Sequence, residues 1–316
     1  MKLFKYQMTN LSKIGLANLL IVYIVWSSTY LAIRVGMEEG SGLSPLAMGT
    51  IRLLLAGTIL IGFAWFRGHK LRITFHELYV LTVTSFLLWV VCNGLVMWAE
   101  QHANSGFAAL ILATSPIMVA WLDYLFSRHV PSRLLLGSLI FSFLGVGLLM
   151  APSMLQGNST EFIAGIALLF CSLGWSAGTI FQTHNPIKLE VTVISGYQHL
   201  VGGCIFGLLM LIFKEPLPHP TLRAWAALSY LIIFGSVFAF TAFVTALKLL
   251  PINIAMTYSY VNPVLALLLG WWLLNEPITF WTLIGAAMVI LGVIGVFQGR
   301  VEPSGVQGRK AAQVEG

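Results

Sequence analysis

Apolar runs of about 20 residues recur along the whole 316-residue chain, separated by short polar connections. A helix of that length crosses the hydrocarbon core of a bilayer. The pattern predicts helical spans near 14–34, 45–66, 77–98, 104–123, 133–151, 162–181, 191–213, 224–246, 252–274 and 279–298. Pro and Gly punctuate the connections, at Ser44-Pro45, Val130-Pro131, Ala151-Pro152 and Pro216 to Pro220. Lys2, Lys5 and Lys13 precede the first run as they would in a signal peptide. That run is long for a signal sequence and no small-residue cleavage site follows it, so it reads as an uncleaved span. The tail 300–316 is polar and Gly-bearing and reads as disordered.

The second half of the chain repeats the first. Trp26-Ser27 returns as Trp175-Ser176. Arg52 and His199, Ser115-Pro116 and Asn262-Pro263, and Gly145 and Gly292 share one common spacing. Internal repeats in an apolar chain are the sequence sign of a secondary transporter, whose site lies between the repeats. The reading is an all-α polytopic membrane protein of about ten helices in two inverted five-helix repeats, 1–151 and 152–299.

Composition agrees: 58% of residues are hydrophobic and 9% are charged, against roughly 25% charged in a soluble domain. The net charge of +6 does not point to nucleic acid, because the basic residues lie between spans rather than in one patch. Arg67, Lys70, Arg72, Arg128, Arg133, Lys188 and Lys248 fall on one side, and only Arg34, Lys214 and Arg223 on the other. This bias places both termini in the cytoplasm, in an inner (plasma) membrane. Five spans per copy then make the second copy enter the membrane from the opposite face.

Candidate chemistry sits within the spans. Arg52 lies at a depth where a charge must face protein or a water-filled cavity; it can contact substrate or hold neighbouring helix ends. His199 can titrate near neutral pH or simply pack. Glu100, at the end of the third span, is a gate or proton acceptor, or a solvated interfacial acid. Glu276-Pro277 reads as an N-cap of the last helix, with the Pro in its first turn. Trp26, Ser27 and Tyr30, with Trp175, Ser176 and Gln182, put aromatic and polar groups in mid-membrane; the two Trp residues fit the wall of a cavity, while the Ser hydroxyls can line it or simply bond across closely packed helices. Asn93, Tyr258 and Asn262 add further polar groups. Pro116 and Pro263 bend their spans and can serve as pivots, although many such bends are static. Gly203-x-x-x-Gly207 signals close helix packing, within the chain or in a homodimer.

Gly174-Trp175-Ser176-Ala177-Gly178 matches a hydrolase nucleophile elbow but lies within a helical run, and Ser176 mates with Ser27 in the repeat. No phosphate-binding loop, metal-ligand cluster or cofactor motif stands in the sequence; Cys92, Cys171 and Cys204 read as packing residues. A small-molecule substrate and the lipid bilayer are the expected partners.

Taken in order along the chain, these residues resemble a known family. Trp26-Ser27-Ser28-Thr29-Tyr30-Leu31-Ala32-Ile33-Arg34 resembles the W-G-S-T-[FY]-x-x-I-[KR] opening of the EamA family, within the drug/metabolite transporter superfamily. Arg52-x-x-x-Ala56, Ala99-Glu100, Ser105 to Ala109, Pro116, Asn275-Glu276-Pro277, Gly285 and Gly292 resemble its later motifs. Ser27 departs from the family's usual Gly. The resemblance implies a ten-span inverted-repeat carrier that exports amino acids, related metabolites or amphipathic drugs across the inner membrane. A facilitative pore and an intramembrane serine hydrolase are the rival readings.

Overall fold

A computed structural model of the chain describes residues 12–127, 133–250 and 252–299. Lys2, Lys5, Arg128, Val130-Pro131 and the tail 300–316 lie outside the described residues. All regular structure among them is helical. The helices are α1 (Lys13–Gly36), α2 (Pro45–Phe66), α3 (Phe75–Ala99), α4 (Ser105–Leu112), α5 (Ser115–Ser127) and α6 (Arg133–Leu155). Then follow α7 (Ser159–His184), α8 (Val191–Ile212), α9 (Leu222–Leu249), α10 (Ile252–Ala255), α11 (Tyr258–Leu274) and α12 (Phe280–Gly299). Six of them are long and apolar enough to cross a bilayer, and four shorter apolar helices accompany them.

Helix starts follow from local chemistry. Ser44 accepts from Ala47 N with Pro45 at the first position, Thr74 and Glu77 form a capping box, and Thr221 accepts from Ala224 N. Helix α6 runs through Pro152 to Leu155, past the expected end of its span. One missing backbone bond at a helix end is too weak to stop it there.

Lipid tails are as apolar as leucine, so helices join in a membrane through small residues and hydrogen bonds. The closest pairs obey this rule. On α2 and α8, a Cβ on Gly57 would stand 2.8 Å from Leu200, and one on Gly203 2.8 Å from Leu54. Gly207 faces Thr50 across the same seam, so the Gly203–Gly207 face is filled within the chain by α2. On α6 and α12, a Cβ at Gly145 would lie 3.0 Å from Gly285 O, and one at Gly292 1.9 Å from Ser142 Oγ. Helix α1 packs on α11 and α9; α7 packs on α4, α5 and α3. Between the α1–α2 and α8–α9 connections, His219 N donates to Gly42 O (3.0 Å) and Thr221 N to Ser41 O (2.9 Å).

Two long helices contain π-helical turns, Phe86–Asn93 in α3 and Leu231–Phe240 in α9. Their ends, Asn93 and Phe240, stand at the common spacing of the repeat. A π turn displaces one residue per turn and recurs at functional sites. Nothing in the apolar pattern foretold them.

Candidate functional site

A cavity of about 70 Å³ lies where the two halves meet, between α1, α2, α3, α4, α5, α7 and α11. Six of the expected residues line it: Trp26, Tyr30, Arg52, Asn93, Trp175 and Tyr258. Its aromatic wall interlocks. Trp26 meets Trp175 and Tyr258 edge-on at 5.3 Å each, and Phe243 at 4.9 Å. Trp175 Nε1 donates to Tyr258 Oη (2.8 Å), and Trp26 Nε1 to Gly235 O (3.3 Å). Edge-to-face packing and satisfied indole N–H groups fix these rings in place.

The polar wall is Arg52. Its Nε donates to Ser236 Oγ (2.9 Å), and a terminal nitrogen lies 3.4 Å from Asn93 Oδ1. The guanidinium sits 5.3 Å over the Trp89 ring, a cation–π contact. It is 4% exposed. Among the described residues, no carboxylate approaches it within ion-pair distance; the one ion pair there, Arg223 with Glu38 at 3.2 Å, is exposed. The π-helical turns supply Trp89 and Asn93 from α3 and Ser236 from α9. Asn93 Nδ2 donates to Leu88 O (3.0 Å), a carbonyl five residues back. Thus the irregular backbone places the groups that hold Arg52.

Other expected residues stand off the cavity. Ser27 Oγ donates to Tyr23 O (2.5 Å). The Asn262 amide, with its nitrogen turned inward, reaches Ser27 Oγ (3.2 Å), Tyr258 O (3.2 Å) and Tyr23 O (3.3 Å). Together they tie α1 to α11. Ser176, mate of Ser27, donates to Ser172 O (2.7 Å) and Ser115 O (2.9 Å) and ties α7 to α5. A serine bonded to two carbonyls in a helix has neither a base nor the strand-turn-helix setting of a hydrolase. Gln182 accepts from Gln198 Nε2 (2.8 Å). His199 is buried below the cavity, its ring against Trp89 (4.4 Å) and Phe240 (5.0 Å), with Nδ1 2.7 Å from Ser195 O. Glu100 is fully buried, its backbone carbonyl accepting from Arg34. Its two carboxylate oxygens have no partner among the described residues.

Three expectations change. Pro116 is not mid-helix: α4 ends at Leu112, and Pro116 is the second residue of α5, where its missing N–H is harmless. Pro263 does lie inside α11, but the break in that span comes earlier, at Met256-Thr257. Glu276 does not cap the last helix, which begins at Phe280; Thr279 bonds the first turn there. The Glu276 carboxylate instead accepts from Ser105 N (2.9 Å), Ser105 Oγ (2.9 Å) and Gly106 N (3.2 Å). It caps α4, whose own N-cap residue Asn104 makes no side-chain bond. Glu276 reaches it because Asn275 ends α11 in a left-handed turn (φ 55°) that swings the chain back. Cys92, read as a packing residue, and Trp89, which went unread in the sequence, also stand in the cavity wall; Trp89 lies four residues before Asn93 on the same apolar run.

A bundle of apolar helices around a buried, aromatic-walled cavity has the build of a polytopic membrane transporter. The chain belongs to the EamA-like transporter family, whose model matches residues 13–151 and 162–298. It is 32% identical over 285 residues to the uncharacterized inner membrane transporter YedA of Escherichia coli (strain K12), covering 89% of this chain and 90% of that protein. It is 24% identical over 281 residues to the S-adenosylmethionine/S-adenosylhomocysteine transporter of Chlamydia muridarum, covering 85% and 86%. A solved structure with 19% identity superposes with a TM-score of 0.64 over 89% of this chain and 95% of that one. The likeness to YedA and the apolar helices make this a multi-pass inner-membrane protein.

Proposed function

We propose that the protein is a secondary carrier that exports small organic solutes, such as amino acids, related metabolites or amphipathic drugs, by alternating access. The observation that carries this reading is the cavity itself. Both halves of the chain build it, and at about 70 Å³ it is well below the roughly 300–1,000 Å³ of small-molecule sites. A solute therefore enters only when helices part, which is the behaviour of a carrier rather than of an open pore.

In this reading the chain is two inverted five-span repeats, 1–151 and 152–299, with both termini cytoplasmic. The reciprocal packing supports it: α1 seats on α9 and α11 as α7 seats on α3 and on α4 and α5, while α2 pairs with α8 and α6 with α12. The repeats rock about the cavity, yielding at the α4–α5 break and near Pro263. Trp26, Trp175 and Tyr258 receive the apolar part of the solute; Arg52 and Asn93 receive its polar part. Glu100 is the proton-coupling group, because it is a buried carboxylate with unpartnered oxygens beside the path.

The test is transport in proteoliposomes, with a solute chosen by thermal-shift screening against metabolites and drugs, since a ligand of the folded state raises its melting temperature. Saturable uptake with counterflow is expected. Linear flux without counterflow refutes the carrier, and equal initial rates with and without an imposed pH gradient refute the coupling.

A further inference from the structure

Orphaned polar groups concentrate in one part of this bundle, apart from the Glu100 carboxylate, Ser259 Oγ and Trp89 Nε1. Among the described residues, the buried side-chain nitrogens and oxygens without a partner include Thr192 Oγ1, Ser195 Oγ, Gln198 Oε1 and His199 Nε2 on α8. Thr179 Oγ1 on α7 and Thr241 Oγ1 on α9 join them. The four residues of α8 recur at helical spacing and share one face. That face looks onto α3, where Gln198 Nε2 donates to Thr84 Oγ1 (2.8 Å) and Ser85 Oγ donates to Gln198 O (2.5 Å). Gln182, one turn beyond Thr179, bonds Gln198 from α7, and α9 packs on the same helix. All of these lie in the half of the bundle toward the basic loops, which hold Arg67, Lys70, Arg72 and Lys188.

Native interiors leave few polar groups unpaired, and a cluster of them requires an explanation. The seam also has a direction. It runs from Thr192, near the start of α8, through Ser195 to His199, whose ring lies on Trp89; Trp89 in turn carries Arg52 of the cavity over its ring. The mates of Thr192, Ser195 and Gln198 in the first half of the chain are Pro45, Met48 and Ile51, which are apolar. Met48 is fully buried. The orphaned groups of α8 thus have no counterpart at the matching places of the first half.

We propose that the seam between α3, α7, α8 and α9 is the inlet for solute: it parts and fills with water, which satisfies the orphaned hydroxyl, amide and imidazole groups. This rests on the carrier reading and deepens it. The walls offer neutral hydrogen-bonding groups and end at an arginine. The solute class is accordingly small and hydrogen-bonding, neutral, zwitterionic or anionic, without net positive charge.

The test uses the full chain in inside-out membrane vesicles, with Ser195→Cys, Thr179→Cys and Val193→Cys made singly. Ser195 and Val193 are equally buried neighbours on α8. Ser→Cys is nearly isosteric, and monodisperse elution of each variant confirms folding. An anionic, membrane-impermeant methanethiosulfonate is added outside the vesicles, and modification at each position is followed by peptide mass spectrometry. Cysteines at 195 and 179 are expected to react at least about tenfold faster than cysteine at 193, as local opening exposes them. Equal rates at all three positions overturn the inlet. A cationic reagent that outpaces the anionic one, each normalised to a free thiol, overturns the solute class. Counterflow measured on the same vesicles separates the two readings: reactive seam cysteines without counterflow refute the carrier and not the seam, whereas counterflow with an unreactive seam refutes the seam and not the carrier.

Discussion

Glu276→Gln probes the tie that joins the two halves at the start of α4. The carboxylate is 8% exposed and accepts three hydrogen bonds at the start of α4, at 2.9, 2.9 and 3.2 Å. Glutamine keeps the shape but turns one acceptor oxygen into a donor, aimed at groups that themselves donate. A hydrogen bond to a charged group contributes about 1.5–3 kcal/mol. A negative charge at a helix N-terminus adds up to about 2 kcal/mol where partly buried. Against this stands the desolvation of the carboxylate, several kcal/mol, which the neutral amide largely avoids. The net loss comes to about 2 kcal/mol, taking one charged bond lost and one donor left facing a donor.

The assay is thermal unfolding of the detergent-solubilised protein, where about 2 kcal/mol corresponds to a melting shift of about 4–8 °C. Ser105→Ala removes only the hydroxyl donor and should cost about 1 kcal/mol. Gly270→Ala offers an independent route to the same loss, because its Cβ would stand 2.3 Å from Glu276 Oε2 and must displace the carboxylate. If both act through one contact, Gly270→Ala with Glu276→Gln is markedly less than additive. An unchanged melting temperature in Glu276→Gln, or full additivity in the double variant, refutes the tie.

Arg52→Met should raise the melting temperature while abolishing transport, because a buried cation without a carboxylate nearby is costly to keep; destabilisation would show that Arg52 serves the fold instead. Trp175→Phe leaves buried Tyr258 Oη without its 2.8 Å donor. It should cost about 1–3 kcal/mol in thermal unfolding and weaken solute binding in titration. Gly145→Ala should destabilise by about 1–3 kcal/mol through overpacking against Gly285 O and Val289 N, each 3.0 Å from the new Cβ. Gly147→Ala, with nothing within 4 Å, should be neutral or stabilising in the same melt.

The spans were legible because one physical requirement sets them. A helix in lipid must satisfy its own backbone and show apolar side chains for about 20 residues. The cavity wall was partly legible for a related reason. An Arg, an Asn and paired Trp residues do not belong at mid-membrane unless they face inward, and Trp26, Arg52, Asn93 and Trp175 do. What stayed hidden depends on backbone register and on distant partners. Residues 86–93 and 231–240 are apolar whether wound as α or π, so periodicity carries no mark of the change. Glu276 sits just before a helix in sequence, where a local cap is the cheapest assumption, yet the donors it meets are at Ser105 and Gly106. Ser27 and Ser176 read as cavity residues because hydroxyls in apolar helices look functional; both bond the carbonyl four residues back, which satisfies them locally.

The departures from the repeat are as informative as the repeat. Arg52 and His199 hold matching places, yet Arg52 projects into the cavity and His199 lies under it against Trp89 and Phe240. The end of the bundle away from the basic loops is closed by ties a helix rotation must break: Glu276 on α4, Arg34 on the Glu100 carbonyl, and the backbone bonds between residues 41–42 and 219–221. The seam at the end with the basic loops holds unpaired groups beside its direct bonds at Gln198. Two halves built alike but closed by different chemistry open with unequal ease. Water can reward opening at the α8 seam, where it meets orphaned hydroxyl, amide and imidazole groups, and has no such groups to meet at the matching Pro45, Met48 and Ile51. In the proposed carrier the seam is the side that opens first from the closed state. Cysteines in the inner seam should therefore stay reactive in the absence of solute, and solute should slow their modification.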